Sequence, residues 1–333
     1  MQEVIKLLER LLPDRFDASS VRLMQGGVSG ARLARFKTSD GESVVIKMCS
    51  QVGDKERRGK DLLSPHLQCP LELPPYGSDH YLYCYIPGQT VDGLVKNGDR
   101  SADQHLLKSL GLQIEMWRKT SNSCPPVGYP QKLEQTIELT LGLSIDHLYV
   151  RELVDLPIVI NGRRIPSLGE IFRRLKEVMR NEKITVLSHG DEGWGNVVVG
   201  QTDGNYFFLD HGEAGFRLAA EPIVKALLWF PANTSQPVHF SCKADGRRLV
   251  IDFGVKLDSG LRDLLVNAKQ EIAKGIVFTP ASYFACAIIY LLREIQWLPR
   301  RHRENMMPYV FALALEAAAG LYGYREELPL LQA

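Results

Sequence analysis

The sequence predicts an α+β chain of two lobes, a small antiparallel-sheet N-lobe over residues 1–86 and a mostly helical C-lobe over residues 87–333. Three observations lead there. β-prone stretches punctuated by Gly crowd the first quarter of the chain. Helical periodicity dominates from about residue 101 onward. A length of 333 residues is also more than one simple core accommodates.

The elements follow in order. The opening MQEVIKLLERLLPDRF sets apolar residues at helical spacing among acids, an amphipathic helix rather than a secretion signal. Residues 21–48, VRLMQGGVSGARLARFKTSDGESVVIKM, place glycines and a serine between two β-prone stretches. The second stretch holds an Asp40-Gly41 turn, so three strands are predicted. KERRGKDLLSPHL (55–67) reads as a short helix, and YLYCYIPG (81–88) as a buried strand that stops at Pro-Gly. Helices are predicted over 102–120, 132–153 and 168–181, with a small hairpin at PIVINGRRIP (157–166) turning on Asn161-Gly162. Two further hairpins, VVVGQTDGNYFFLD (197–210) and VHFSCKADGRRLVIDF (238–253), precede three terminal helices.

Composition narrows the function classes. The net charge of +1 gives no global field toward nucleic acid or a membrane, and neither is expected as a partner. The six cysteines, at positions 49, 69, 84, 124, 242 and 286, form no CxxC pair and complete no zinc site. They read as free thiols of a reducing cytosol, so the expected location is cytoplasmic. The longest apolar run, FACAIIYLL (284–292), is too short to cross a bilayer.

The chemistry concentrates in HGDEGWGN (189–196) and LDHGEAGF (209–216). Phosphoryl transfer needs few kinds of group. One carboxylate orients the attacking hydroxyl, hard oxygen ligands hold Mg²⁺ against the phosphates, and cationic or N–H donors neutralise the developing charge. Asp191 can serve as the carboxylate, and Asn196 and Asp210 as the metal ligands. The 197–210 hairpin would bring Asn196, before its first strand, beside Asp210, after its second. Lys47 follows Val44, Val45 and Ile46, neighbours that imply burial, where a lysine needs a partner. Glu56 is the best candidate and Asp61 the alternative.

These pieces, with GGVSG (26–30) and VVIK (44–47) upstream, resemble the aminoglycoside phosphotransferase-like branch of the kinase-like superfamily, over roughly residues 20–230 and in the family's order. The resemblance implies a two-lobed protein-kinase-like fold. It implies a kinase that moves the γ-phosphate of ATP or GTP, with Mg²⁺, to a hydroxyl of a small-molecule acceptor. Asp191 then stands as the catalytic aspartate, Asn196 and Asp210 as the metal ligands, and Lys47 as the strand lysine on the α- and β-phosphates, paired with Glu56. Gly26, Gly27, Ser29 and Gly30 belong to the phosphate-covering loop. Tyr83 stands as gatekeeper, and Cys84 and Ile86 offer backbone C=O and N–H to the base. Acceptor binding falls to C-lobe helices. His211-Gly212 replaces the Phe-Gly of protein kinases, and Glu221 stands where many relatives have Asp, as a support for the catalytic loop.

Several residues read more simply. His189 is expected to pack and bond backbone rather than move protons. Trp194 either stacks on a substrate ring or packs on its loop. The run Arg300 to Arg303 reads as a solvated helix start, with recognition of an anionic acceptor as the sharper alternative. Asp252-Phe253-Gly254 spells a kinase tripeptide at the end of an apparent strand, and reads as chance. Two rival functions are a nucleotide-binding regulator without catalysis and a protein kinase. The first usually lacks one of the groups present here. The second is disfavoured by the short Gly loop and the absence of an Ala-Pro-Glu segment.

Overall fold

The computed structural model describes residues 1–24, 31–123, 129–273, 276–324 and 326. The chain groups into two compact units, one of residues 1–116 and 187–215, the other of 117–186 and 216–333.

The first unit opens with helix α1 (Gln2–Leu11), whose Val4 and Leu8 lie one turn apart and are both buried. Strands β1 (Phe16–Met24), β2 (Arg32–Thr38), β3 (Ser43–Met48) and β4 (His80–Cys84) form one antiparallel sheet in sequence order. The turn from β2 to β3 uses Gly41 at φ +89°, as its Asp-Gly signal demands. Ala34, Phe36, Val44, Ile46 and Leu82 face α1 and make this unit's core. Between β3 and β4 runs helix α2 (Val52–Leu63), three residues earlier than the sequence suggested. Beyond β4 come β5 (Gly88–Thr90), α3 (Val91–Lys96), capped by the Thr90 hydroxyl, and α4 (Ala102–Thr120) over its predicted span.

In the second unit α5 (Tyr129–Leu141) is shorter than the predicted 132–153 helix. The chain turns at Asp146 (φ 50°) and His147 (φ 67°), joining the two-residue strands β6 (Ser144–Ile145) and β7 (Leu148–Tyr149). Two successive left-handed residues suit a tight hairpin and cannot continue a helix. The predicted hairpin on Asn161-Gly162 is β8 (Ile158–Ile160) and β9 (Arg163–Ile165). Helix α6 (Leu168–Asn181) starts at a capping box of Ser167 and Glu170. Strand β10 (Thr185–Ser188) leads to the site segment.

That segment, in the first unit, holds the hairpin β11 (Val197–Gly200) and β12 (Tyr206–Phe208), with β11 also paired to β5. After β13 (Gly215–Leu218) the second unit continues with α7 (Ala220–Thr234), β14 (Gln236–Ala244) and β15 (Leu249–Lys256). Here β15 pairs in parallel with β8, so two predicted hairpins merge into one four-stranded sheet. Helices α8 (Ser259–Ala273), α9 (Pro280–Glu294) and α10 (Met307–Leu321) follow, the last buried along most of its length. No helix among the described residues is long and apolar enough to cross a membrane.

The basic run does not open a regular α-helix. Residues 299–301 and 304–306 are 3-10 turns. Arg301 bonds Glu294 and the side-chain oxygen of Asn233, and Arg303 donates to the Ser235 carbonyl at the end of α7. Cations there complement the helix's negative end. Arg300 lies over the Trp297 ring, 4.8 Å from its centroid.

Candidate active site

Every described site residue lies in the first unit. Lys47 leaves β3 on the face opposite α1 and is buried. Its Nζ lies 2.6 Å from Glu56 Oε1 and 2.6 Å from Asp210 Oδ1. Of the two sequence candidates, Glu56 is therefore the partner. Burial disfavours the ammonium, but the two carboxylates outweigh it and raise the Lys47 pKa. Glu56 is buried too, which favours its neutral form, yet His211 and Lys47 outweigh that and hold it well below the usual carboxylate range. The second Glu56 oxygen accepts the His211 backbone N–H at 2.7 Å and lies 3.3 Å from His211 Nδ1.

His211 is the residue that sequence reading missed. Its Nε2 donates to the Phe208 carbonyl at 2.6 Å. Burial opposes a charge on the ring, but contacts with Cys69 and Glu56 raise its pKa to about 9. The signal was present: a titratable ring stands where the resemblance expects an apolar one. Lys47, Glu56 and His211 thus alternate in charge.

Asp210 sits at φ 61°, a left-handed conformation uncommon for a residue with a side chain. The backbone N–H of Leu209 donates to the Asn196 carbonyl at 2.8 Å, so the hairpin does join the two proposed metal ligands at one end. Surrounding protein raises the Asp210 pKa, as do the charges of Glu56 and Asp191, while Lys47 opposes them. Asn196 Nδ2 donates to Asp191 Oδ2 at 3.0 Å and to the Asp191 carbonyl at 3.2 Å. This turns the amide's nitrogen toward Asp191, so its oxygen is the atom not engaged in these bonds. Asp191 itself is exposed.

The loop carrying Asp191 is locked from within. Gly190 has φ +87°, and a Cβ there would meet the Glu213 carbonyl oxygen at 2.0 Å, so glycine is required. Glu192, whose role the sequence did not suggest, is buried; it accepts from the Ser188 hydroxyl and from the Gly190 N–H at 3.1 Å. His189 Nδ1 bonds the Asp191 carbonyl at 2.8 Å, and its ring packs near Phe208 and His211, a structural role. Trp194 is 1% exposed and packs on its loop rather than presenting a stacking platform.

The remaining predictions fall as follows. Tyr83 is half-buried beside Tyr81, with ring centroids 5.6 Å apart. The Cys84 N–H is taken by the Leu71 carbonyl at 2.9 Å, leaving its carbonyl to offer. Ile86 follows in the half-buried connecting segment. Gly26, Gly27, Ser29 and Gly30 lie outside the described residues. Asp252 is exposed on β15, beside His239, in the second unit. Glu221 bonds Lys225 at 3.1 Å and lies 3.8 Å from Lys132 in that same unit.

No protein-family model and no curated protein matches the chain. Solved structures do. A choline kinase from Streptococcus pneumoniae superposes with a TM-score of 0.60 at 9% identity, covering 96% of this chain and 98% of that one. An amicoumacin kinase in complex with AMP-PNP and Ca²⁺ gives 0.59 at 13% identity, covering 95% and 92%. The chain shares the fold of these two kinases. An aminoglycoside phosphotransferase from Streptomyces rimosus, in complex with ADP and streptomycin, gives 0.52 at 16% identity, covering 87% and 97%. Such identities speak for the kinase-like fold alone. Within that fold, the Lys47–Glu56–Asp210 cluster and the Asp191–Asn196 pair are this chain's own observations.

Proposed function

We propose that the protein is a small-molecule O-phosphotransferase that moves the γ-phosphate of ATP or GTP to a hydroxyl of its acceptor. The observation that carries this is the buried Lys47 held between Glu56 and Asp210, in the same unit as the Asp191–Asn196 pair. The structural neighbours support it, since those proteins are kinases and phosphotransferases of small molecules, two of them in complex with a nucleotide. Residues 1–86 would be the lobe that covers the nucleotide, and 87–333 the lobe that carries the catalytic loop and acceptor-binding helices. The free cysteines among the described residues suit a cytoplasmic setting.

The donor set fits a hard divalent ion such as Mg²⁺. Asp210 offers a carboxylate crowded by Glu56 and Asp191, and Asn196 offers an amide oxygen whose nitrogen is already engaged. A metal held by Asp210 and Asn196 would supply neutralisation of phosphate charge. Lys47 would neutralise phosphate oxygens, and Glu56 fixes where its ammonium sits. Asp191 accepts the acceptor's hydroxyl proton. As the new O–P bond forms, the bond from γ-phosphorus to the bridging oxygen breaks, and the nucleoside diphosphate leaves with that electron pair.

The test is Mg²⁺-dependent ATP and GTP consumption against a panel of hydroxylated metabolites and antibiotics, with Asp191→Ala beside the wild type. One compound should stimulate turnover, and the variant should lose about 10²–10⁴-fold in kcat with its fold intact. Wild-type turnover by the variant would refute the assignment.

A further inference from the structure

Directly after the exposed Asp191 the chain buries a second acid, Glu192. Ser188, the last residue of β10, is buried as well. Its hydroxyl donates to Glu192 Oε1 and accepts the Gly190 N–H at 2.9 Å. A hydroxyl can do both at once. The same Gly190 N–H is shared with Glu192 Oε1 at 3.1 Å. Residues 188, 190 and 192 are thus joined in a ring of bonds that closes around Asp191.

Other bonds act on Asp191 itself. His189 Nδ1 bonds its carbonyl at 2.8 Å, and Asn196 Nδ2 reaches that carbonyl at 3.2 Å and the carboxylate Oδ2 at 3.0 Å. The ring adds what these cannot: it fixes the chain on both sides of residue 191, and with it the direction in which the carboxylate leaves the loop. Burying a carboxylate is costly, whereas a leucine would fill a similar volume without that cost. Stability alone therefore gives no reason for an acid at 192, and the geometry of the loop does.

We propose that Ser188 and Glu192 are positioning residues for phosphoryl transfer, acting through the backbone of Asp191 and touching neither nucleotide nor acceptor; this rests on the phosphotransferase reading above. A displacement of about 1 Å at a reacting group can cost on the order of 10²-fold in rate. The ring joins only atoms of residues 188–192, whereas Lys47 and Glu56 stand on β3 and α2. Its loss therefore falls on kcat and leaves nucleotide binding as it was.

The experiment follows ATP or GTP turnover with Mg²⁺ as release of the nucleoside diphosphate, in water alone and with each compound of the panel. Nucleotide dissociation constants are measured beside it, by displacement of a fluorescent nucleotide. Glu192→Leu fills the space without an acceptor; it should lower kcat about 10–10²-fold while the dissociation constant stays within about twofold. Glu192→Gln keeps an acceptor oxygen for Ser188 and Gly190 and should recover most of that loss. Ser188→Ala should lower kcat too, and adding it to Glu192→Leu should cost little more, because the two side chains act as one unit. Wild-type kcat in Glu192→Leu would overturn the inference, as would an equal loss in Glu192→Gln. So would a parallel weakening of nucleotide binding, which marks general damage to the fold. Thermal unfolding checks the variants; should Glu192→Leu not fold, Ser188→Ala decides, and wild-type kcat in that variant would overturn the inference. A wild type that turns over no nucleotide with any acceptor would overturn both readings, whereas turnover that Asp191→Ala abolishes and Glu192→Leu keeps overturns only this one.

Discussion

At Lys47 the chain buries an ammonium group and meets it with two carboxylates, one of which, Glu56, is itself braced by His211. Breaking a buried pair costs more than the pair is worth, because the surviving charge stays buried. Glu56→Gln keeps the shape and removes the charge. Nucleotide kcat/KM should fall by at least about tenfold, with near-native circular dichroism, because Lys47 loses its anchor and His211 its counter-charge. Unchanged nucleotide kinetics in that variant would remove the Glu56 bridge from the mechanism. The same scale explains Gly190, which no other residue replaces without striking the Glu213 carbonyl.

Among the elements, α2 has one function-bearing residue, Glu56, and its placement depends on how closely the helix approaches the 3-10 turn 211–213. Gly59, one turn further along α2, makes that approach possible. A Cβ on Gly59 would lie 1.8 Å from the His211 carbonyl oxygen, a backbone atom that cannot swing aside. Helix propensity alone would make Gly59→Ala stabilising by up to about 1 kcal/mol. The clash reverses the sign, and urea unfolding should show a loss of about 1–3 kcal/mol. Nucleotide kinetics should worsen with it, because the displaced helix takes Glu56 along. A stabilised Gly59→Ala protein would mean that α2 packs less closely than described.

For the whole molecule, the second unit holds a buried charge cluster whose effect is on stability. Glu221 is buried beside Lys225 and Lys132. Burial raises its pKa, but the surrounding cations outweigh that and hold it at about 2. A carboxyl lowered on folding stabilises fully above its unfolded value near 4.5, and that contribution fades as pH falls toward 2. Glu221→Gln should therefore cost on the order of 3 kcal/mol at pH 7 and roughly 1 kcal/mol at pH 3 by urea unfolding. Lys132 acts oppositely: burial and neighbouring cations lower its pKa to about 8. The folded state then holds fewer protons than the unfolded one between about 8 and 10.5, so this residue adds stability as pH rises through that window. A pH-independent cost of Glu221→Gln would contradict the cluster.

Local pattern was enough for much of this protein. Period and turn chemistry located α4, α6 and the hairpins at 158–165, 197–208 and 236–256, because those signals act between residues close in sequence. Order and residue type likewise singled out Lys47, Asp191, Asn196 and Asp210, and the hairpin rule foresaw that Asn196 and Asp210 share an end. The shortened α5 escaped because Asp146 and His147 enter the left-handed region, which periodicity does not register. The sequence preferred Glu56 to Asp61 and the fold bears that out, whereas His211 beneath Glu56 and the arginines on the end of α7 were decided by tertiary structure alone. Each joins side chains distant in sequence, and which ion pairs or stacks form depends on the packing of whole elements. The sequence by itself determined which groups the site has to work with; only the folded chain decided which of them touch, and so which charges are held at the site and which merely support the fold.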